Sequence, residues 1–461
     1  MNLSLQFDKG TILVFGAEKN QLRFLNGLRW DERTNSFRAP AAEYRKIVTD
    51  LRRHKITYND NARKFSALKF PLKKKIIPRS FQTDAAEAWI SEKRGVVALP
   101  TGAGKTILAI MLIARIGRPT LIHVPTIDLM GQWKTVLNEY FDIKIGLLGG
   151  GVNDIQLITV ATYDSALLNV QYRGDQFGLL VFDECHHLPG EQFKFTALGS
   201  IAPFRLGLTA TPERSDGKEK VLYELCGPLC YEAHIDELSG NTLAPYLVKT
   251  IEVEMLPEDR EQYEISRKCY TDFLGKARIS FKHPNGWSIF LRRTSESIEG
   301  REAFKAYLMQ KKLSQASEAK EDLLWKLILN HKGERILVFT QDNDMAYRIG
   351  RKFYFPVLTH HTKLPERESF LAAFRNGEYP VLITSKVLNE GIDVPEANVG
   401  VIVSGSGSIR EHVQRLGRIL RARPGKKALL YELVSKDTGE YFTNQRRRQH
   451  RAYEGPALLQ D

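Results

Sequence analysis

The chain has 461 residues, 43% of them hydrophobic and 26% charged, with a formal net charge of +13. That length exceeds one ordinary core and predicts two or three domains of a soluble globular protein. No apolar run reaches the ~20 residues of a membrane-spanning helix, four cysteines make no disulfide framework, and the basic surplus favours a polyanionic partner.

The opening MNLSLQFDKG lacks the basic-then-apolar pattern of a secretory signal, which predicts a cytoplasmic protein with no membrane partner. Residues 1–70 join a strand-like TILVFGA to basic, aromatic-bearing segments with Trp30, Tyr44 and LRRHKITY, and form a small N-terminal domain. PLKKKIIPRS sets two prolines around three lysines and reads as a linker over 71–78. Over 79–244 the β-rich runs VVALP, TLIHVP, LITVATY, LLVFDE and RLGLTAT alternate with helical stretches, the pattern of a parallel sheet covered on both faces. In this region the spacing of Cys226 and Cys230 would allow one helical turn between them, and both are expected as small buried hydrophobes. No second Cys or His pair stands at metal spacing, so no structural metal is expected.

Alternation resumes over 245–455 with RILVFTQ, PVLTHH, PVLITSK, VGVIVSG and ALLYELV, which predicts a second sheet of the same kind. A helical insertion interrupts it at about 257–325, where Tyr263, Tyr270, Phe273, Leu274 and Ala277 keep helical spacing, as do Phe304, Tyr307 and Leu308. The basic run NQRRRQHR and a short tail, 456–461, read as a solvated end.

Chemistry concentrates in three places. VVALP runs into Thr101-Gly102-Ala103-Gly104-Lys105-Thr106 and then an apolar helix, the strand–loop–helix setting of a phosphate-binding loop. Glycines let backbone N–H groups converge on phosphate oxygens, and a helix N-terminus favours negative charge. Lys105 is placed to reach the β- and γ-phosphates of ATP and Thr106 to ligate Mg²⁺, although the full pattern asks for Gly where Leu99 stands. In LVFDECHHLPG, Asp183 ends a strand and suits the nucleotide's Mg²⁺, while Glu184 suits polarising the attacking water. His186 has no partner set for zinc and is expected to couple the ATP site to the second sheet; His187 is left as a capping or packing residue. Near the end, QRLGRILR puts Arg418 and Arg421 three residues apart on one helical face, placed as arginine fingers for the γ-phosphate.

In this order the motifs resemble those of superfamily 2 helicases and translocases over residues from about 79 to 435. RSFQ resembles the adenine-recognising Q motif, which implies nucleotide contacts from Arg79 and Gln82. LPTGAGKT resembles motif I, DECH motif II and Thr209-Ala210-Thr211 motif III. ITSKVLNEGIDVP resembles motif V, with Glu390, and implies nucleotide-side roles for Gly391 and Asp393; QRLGRILR resembles motif VI, with Gln414, Arg418 and Arg421. Within the superfamily, SGSGSIREHVQRLGRILR, NEGIDVPEANVG and the DECHH box resemble the XPB family in its compact prokaryotic form, with Cys185 in the variable slot of that box.

The resemblance implies an α/β fold of two RecA-like parallel-sheet lobes, a damage-recognition-like DNA-binding domain over 1–70, and a helical thumb insertion in lobe 2. It also implies ATP and Mg²⁺ as cofactors, duplex, forked or bubble DNA as partner, 3′ to 5′ polarity, nucleoid association in a prokaryote, and a role in DNA repair beside a nuclease partner. An RNA motor is the alternative within the class. His186 where a DEAD-box motor has Asp, and Gln414 where its last motif opens with His, argue against a DEAD-box protein. A non-catalytic clamp is opposed by the intact Lys105, Asp183, Glu184 and Arg418, and a nuclease by the lack of an acidic cluster outside the motor.

One departure carries a consequence. The family's Arg-Glu-Asp triplet, implicated in strand separation, is here Arg214-Ser215-Asp216, so the central carboxylate is missing. Weak unwinding of plain duplexes is expected beside robust DNA-stimulated ATPase, with unwinding improved in Ser215→Glu. Fork unwinding compared at matched ATPase rates checks this: efficient unwinding by the wild type, unchanged by the substitution, would remove the triplet's role and leave Glu213 as a substitute acid.

Overall fold

The computed structural model describes residues 3–22, 25, 27–212, 217–238, 244–281, 283, 285–385, 397–405, 428–441 and 444. The chain divides into two compact units after His234. The first opens with a five-stranded sheet of β1 (Leu3–Asp8), β2 (Thr11–Phe15), β3 (Arg29–Asp31), β4 (Ser36–Pro40) and β5 (Tyr58–Asp60) in the order β3-β4-β2-β1-β5. Helix α1 (Tyr44–Arg53) buries Ile47, Val48 and Leu51 in the core that Leu3, Leu5, Ile12 and Val14 of the sheet share.

That core continues into the rest of the unit, because Ile201 packs within it. Lys64 bridges to the buried Asp175 at 2.8 Å, and its N–H donates to the Asp175 carbonyl. Arg45 Nη1 donates to the Pro203 carbonyl at 3.3 Å. A Cβ on Gly174 would fall 2.9 Å from the Phe7 ring, so the two layers meet at backbone distance. The stretch read as a linker lies along this unit: Leu72 pairs with Phe141, and Lys74 reaches Glu139 at 2.8 Å.

The main sheet of the unit has eight strands: β6 (Arg94–Ala98), β7 (Thr120–Val124), β8 (Ile145–Gly149), β9 (Val152–Asp154), β10 (Ile158–Thr162), β11 (Leu179–Phe182), β12 (Phe204–Thr209) and β13 (Leu229–Glu232). Their order is β13-β6-β12-β11-β7-β10-β8-β9, and only β9 runs antiparallel to its neighbour. Helix α2 (Ser80–Glu92) leads into β6; parallel strands need crossovers, and helices α3 (Lys105–Ile116), α4 (Ile127–Tyr140), α5 (Tyr163–Arg173), α6 (Lys194–Leu198) and α7 (Glu219–Cys226) occupy the connections. Strands covered on both faces read as continuous apolar runs, which is why β10 and β11 are buried at every position.

Cys226 is buried as expected, but Cys230 is not, and the two do not share a helix. Gly227, at φ +111°, ends α7 directly after Cys226, and Cys230 lies half-exposed on β13.

The second unit carries α8 (Ile235–Leu238), β14 (Tyr246–Val253) and then the insertion, α9 (Pro257–Lys276), α10 (Gly286–Glu296) and α11 (Ile298–Gln315). Aromatic residues Phe273, Phe290, Phe304, Tyr270 and Tyr307 make the insertion its own small core. Helix α12 (Glu318–Asn330) leads back to β15 (Ile336–Phe339), α13 (Asn343–Phe353), β16 (Val357–Leu358), α14 (Leu364–Asn376), β17 (Val381–Thr384), β18 (Val399–Ile402) and β19 (Ala428–Ser435). All six strands are parallel, in the order β14-β19-β18-β15-β17-β16. The architecture is therefore α/β with two parallel-sheet lobes and a small N-terminal domain, and helices fill the expected insertion. Among the described residues, no helix is long and apolar enough to cross a membrane.

One buried charge pair fastens α12 to the second sheet. Lys320 is fully buried, reaches Glu440 Oε2 at 2.6 Å and donates to the Val403 carbonyl at 3.1 Å. The same Glu440 oxygen accepts the Ser435 N–H at 3.0 Å. Removing one member strands the other in a low-dielectric site, so Lys320→Met is expected to cost about 3–5 kcal/mol. The joint change with Glu440→Leu should recover most of that loss. Hydrogen exchange of the β18 and β19 amides reads both effects locally.

Candidate nucleotide site

Three adjacent strands, β6, β12 and β11, end side by side, and each hands its chain to one motif. Strand register pairs Thr209 with Ala98, and Gly207 with Phe182. The carboxyl edge of a parallel sheet is where loops diverge and leave a crevice for a ligand.

After β6 the chain turns through 99–104. Gly102 and Gly104 adopt φ +86° and +87°, left-handed values that glycine reaches without steric cost. Ala103 is buried between them, and α3 begins at Lys105. Leu99, standing where glycine was expected, is buried; its N–H donates to the Thr209 carbonyl at 2.9 Å, and its carbonyl accepts Lys105 Nζ at 3.1 Å. Thr101 and Thr106 are partly exposed at the loop.

Gln82, near the start of α2, braces this loop. Its Nε2 donates to the carbonyls of Ala103 at 3.1 Å and Gly104 at 3.3 Å, and its Oε1 accepts the Arg79 N–H at 3.0 Å. A Cβ on Gly104 would come 2.6 Å from Gln82 Nε2, a second reason for glycine there. The amide expected on an adenine thus holds the phosphate loop, while Arg79 is exposed.

Beyond β11, Asp183 is buried. Its Oδ2 accepts Trp133 Nε1–H at 2.7 Å and its Oδ1 accepts the Glu184 N–H at 3.0 Å. Burial, and then the negative charge of Glu184, push the Asp183 carboxyl up to about 6; Lys105 and the Trp133 donor oppose them. Glu184 has φ +46°, an uncommon value for a residue with a Cβ, of the kind that collects at functional sites.

His186 Nδ1 lies 3.4 Å from Glu184 Oε2 and 3.4 Å from Thr209 Oγ1. Thr209 Oγ1 donates to the Thr211 carbonyl at 2.9 Å, so the second and third motifs form one polar chain past Ala210. Among the described residues, His186 thus meets Thr209 on β12 of its own sheet. His187 packs its ring 4.4 Å from that of His186.

Lys105, Asp183, Glu184, His186 and Thr209 are thereby gathered at one strand edge. Gly391, Asp393 and Glu390, Gln414, Arg418 and Arg421, and Arg214, Ser215 and Asp216 lie outside the described residues. Sequence reasoning missed Trp133, Tyr163 and His123, which hold motif II from neighbouring elements. Tyr163 Oη–H donates to the Asp183 carbonyl at 3.0 Å, and the Asp183 N–H donates to the His123 carbonyl at 2.9 Å. The available signal was the helical stripe Met130, Trp133 and Leu137, since a buried indole N–H needs an acceptor.

The donor set fits a magnesium nucleotide. A glycine cradle, a lysine and a helix start suit phosphate chemistry, and the Asp183 carboxylate and the Thr106 hydroxyl are the kinds of oxygen ligand a hard cation takes.

Three family models match the chain. Residues 5–62 match the xeroderma pigmentosum group B helicase damage recognition domain, 75–214 the res subunit of type III restriction enzymes, and 319–423 the helicase conserved C-terminal domain. The DNA 3'-5' translocase XPB2 of Sulfurisphaera tokodaii is 41% identical over 446 residues, covering 96% of this chain and 99% of that protein. The DNA 3'-5' helicase XPB of Mycobacterium tuberculosis is 31% identical over 385 residues, covering 80% of this chain and 63% of that longer protein. The helicase domain of Pyrococcus furiosus Hef shares the fold, with TM-score 0.50 at 20% identity over 80% of this chain and 98% of that one. With near end-to-end similarity to an XPB translocase and a match to the XPB N-terminal domain model, the chain belongs to the XPB family of superfamily 2 helicases.

Proposed function

We propose that the protein is an ATP-driven DNA translocase moving 3′ to 5′, which opens or remodels DNA during repair for a nuclease that cuts. The observation that carries the proposal is the gathering of Lys105, Asp183 and Glu184 at one strand edge, beside 41% identity to a named 3'-5' translocase. The repair role draws on relatives such as the general transcription and DNA repair factor IIH subunit XPB of Antonospora locustae, 28% identical over 413 residues.

In this reading Lys105 leaves the Leu99 carbonyl to neutralise the β- and γ-phosphates. Thr106 and Asp183 hold Mg²⁺, which when bound offsets charge on the phosphates. Glu184 polarises the attacking water. His186 and Thr209 pass the state of this carboxylate to the third motif. Arg418 and Arg421 complete the charge balance at the γ-phosphate. The +13 surplus supplies contacts to the DNA backbone, which a motor needs because it must step along any sequence.

ATPase activity measured with single-stranded, duplex, forked and bubble DNA, and with RNA, tests the assignment. Stimulation by DNA supports it; stimulation by RNA alone would assign an RNA motor. Lys105→Ala should lower turnover by about 100-fold or more through lost electrostatic stabilisation. Glu184→Gln should bind ATP and fail to cleave it, and cleavage at the wild-type rate would remove Glu184 from its role.

A pH dependence follows from Asp183. Its carboxyl is raised to about 6, so it binds a proton below that pH and cannot ligate a cation in that form. Mg²⁺-dependent nucleotide affinity should therefore fall by about tenfold per pH unit as pH drops below that value. Glu184→Gln removes the neighbouring negative charge, so the fall should begin at lower pH. Binding titrations from pH 5 to 8, with Asp183→Asn as the flat control, measure the shift.

A further inference from the structure

One side chain outside the three motif strands reaches the catalytic carboxylate. Trp133 lies on α4, in the buried stripe of Met130, Trp133 and Leu137, and is 1% exposed. Its Nε1–H donates to Asp183 Oδ2 at 2.7 Å, while the Glu184 N–H occupies Oδ1 at 3.0 Å. The two donors grip different oxygens, so the carboxylate plane cannot turn without breaking one bond. Its remaining lone pairs then point in a set direction.

The segment that carries Trp133 is tied to the same strand end twice more. The Asp183 N–H donates to the His123 carbonyl on β7, and the His123 ring stacks on Phe182 with centroids 4.4 Å apart. Strand β7 runs into α4 through Thr126, whose hydroxyl caps the helix by accepting the Leu129 N–H. A buried indole needs an acceptor, and a backbone carbonyl would have served. Here the acceptor is the carboxylate on which the metal chemistry depends.

We propose that Trp133 is a positioning residue for ATP hydrolysis, its indole N–H orienting the Asp183 carboxylate toward the Mg²⁺ site. The inference rests on Asp183 being a ligand of the nucleotide's Mg²⁺. Trp133 acts through Asp183, in the way that outer hydrogen-bond partners of metal ligands set ligand direction.

The test replaces Trp133 site-specifically with benzothienylalanine, which keeps the ring shape but has sulfur in place of N–H, and compares it with Trp133→Phe. Equilibrium binding of a fluorescent ADP analogue is measured against Mg²⁺ concentration, together with DNA-stimulated ATPase and the metal-free melting midpoint. The expected result is a Mg²⁺ half-saturation raised by about 10-fold in both variants. The melting midpoint of the isostere should stay near that of the wild type. An isostere with wild-type Mg²⁺ half-saturation would show that the indole only fills the core, and would overturn the proposal even if Trp133→Phe misfolds. Asp183→Asn separates the two levels. If it abolishes the Mg²⁺ dependence while the isostere does not alter it, only the role of Trp133 falls. If Asp183→Asn leaves the Mg²⁺ dependence intact, the assignment of Asp183 falls, and the role of Trp133 falls with it.

Discussion

The candidate site depends on one constraint: two carboxylates, Asp183 and Glu184, sit next to each other at a buried strand end. Like charges in a poorly solvated place repel, and burial already disfavours the ionised form of Asp183. Such an arrangement is relieved when positive charge is supplied nearby, as Lys105 supplies it. The surrounding donors make sense in that light. Trp133, the Glu184 N–H and the backbone at His123 keep the group in place without neutralising it.

The parallel sheet makes this constraint affordable in a sequence of ordinary apolar strands. Adjacent parallel strands bring residues far apart in the chain, Leu99, Asp183 and Thr209, to the same edge with backbone precision. The Leu99 N–H donating to the Thr209 carbonyl is the tie between the first and third motifs. Leu99 also shows why the departure from glycine is tolerated. Its side chain enters the core, and only its carbonyl faces the loop, where it holds Lys105.

Much of this was legible in the sequence because the signals are local. VVALP before TGAGKT and LLVF before Asp183 announce strand, loop and chemistry within a dozen residues, and β6, β7, β10, β11 and β12 lie on the runs that predicted them. What escaped was non-local or short. Strands β8 and β9 form a hairpin around Gly149, Gly150 and Gly151, and β14 is a long edge strand whose half-buried pattern gives weak periodicity. The link from Trp133 to Asp183 spans 50 residues and two elements, and no spacing rule reports it. Gln82 was legible as a nucleotide-side residue, but its grip on the Ala103 and Gly104 carbonyls depends on how α2 lies against the loop. Cys230 is less buried than its reading because Gly227 ends α7 and sends the chain into the edge strand β13.

The seam between the N-terminal sheet and the lobe that carries the nucleotide site has a further meaning. Ile201 belongs to the N-terminal core although it lies in the middle of the motor sequence, and the Pro203 carbonyl has its donor in Arg45. The boundary drawn by a sequence module at residue 62 is therefore not a boundary of folding. A fragment cut there would carry a bare isoleucine and a Pro203 carbonyl that has lost the Arg45 donor on one face. The two parts are better regarded as a single inheritable block: a substitution at Gly174 or Ile201 is a change to the N-terminal module as much as to the motor, and recombination between relatives would have to carry both halves together.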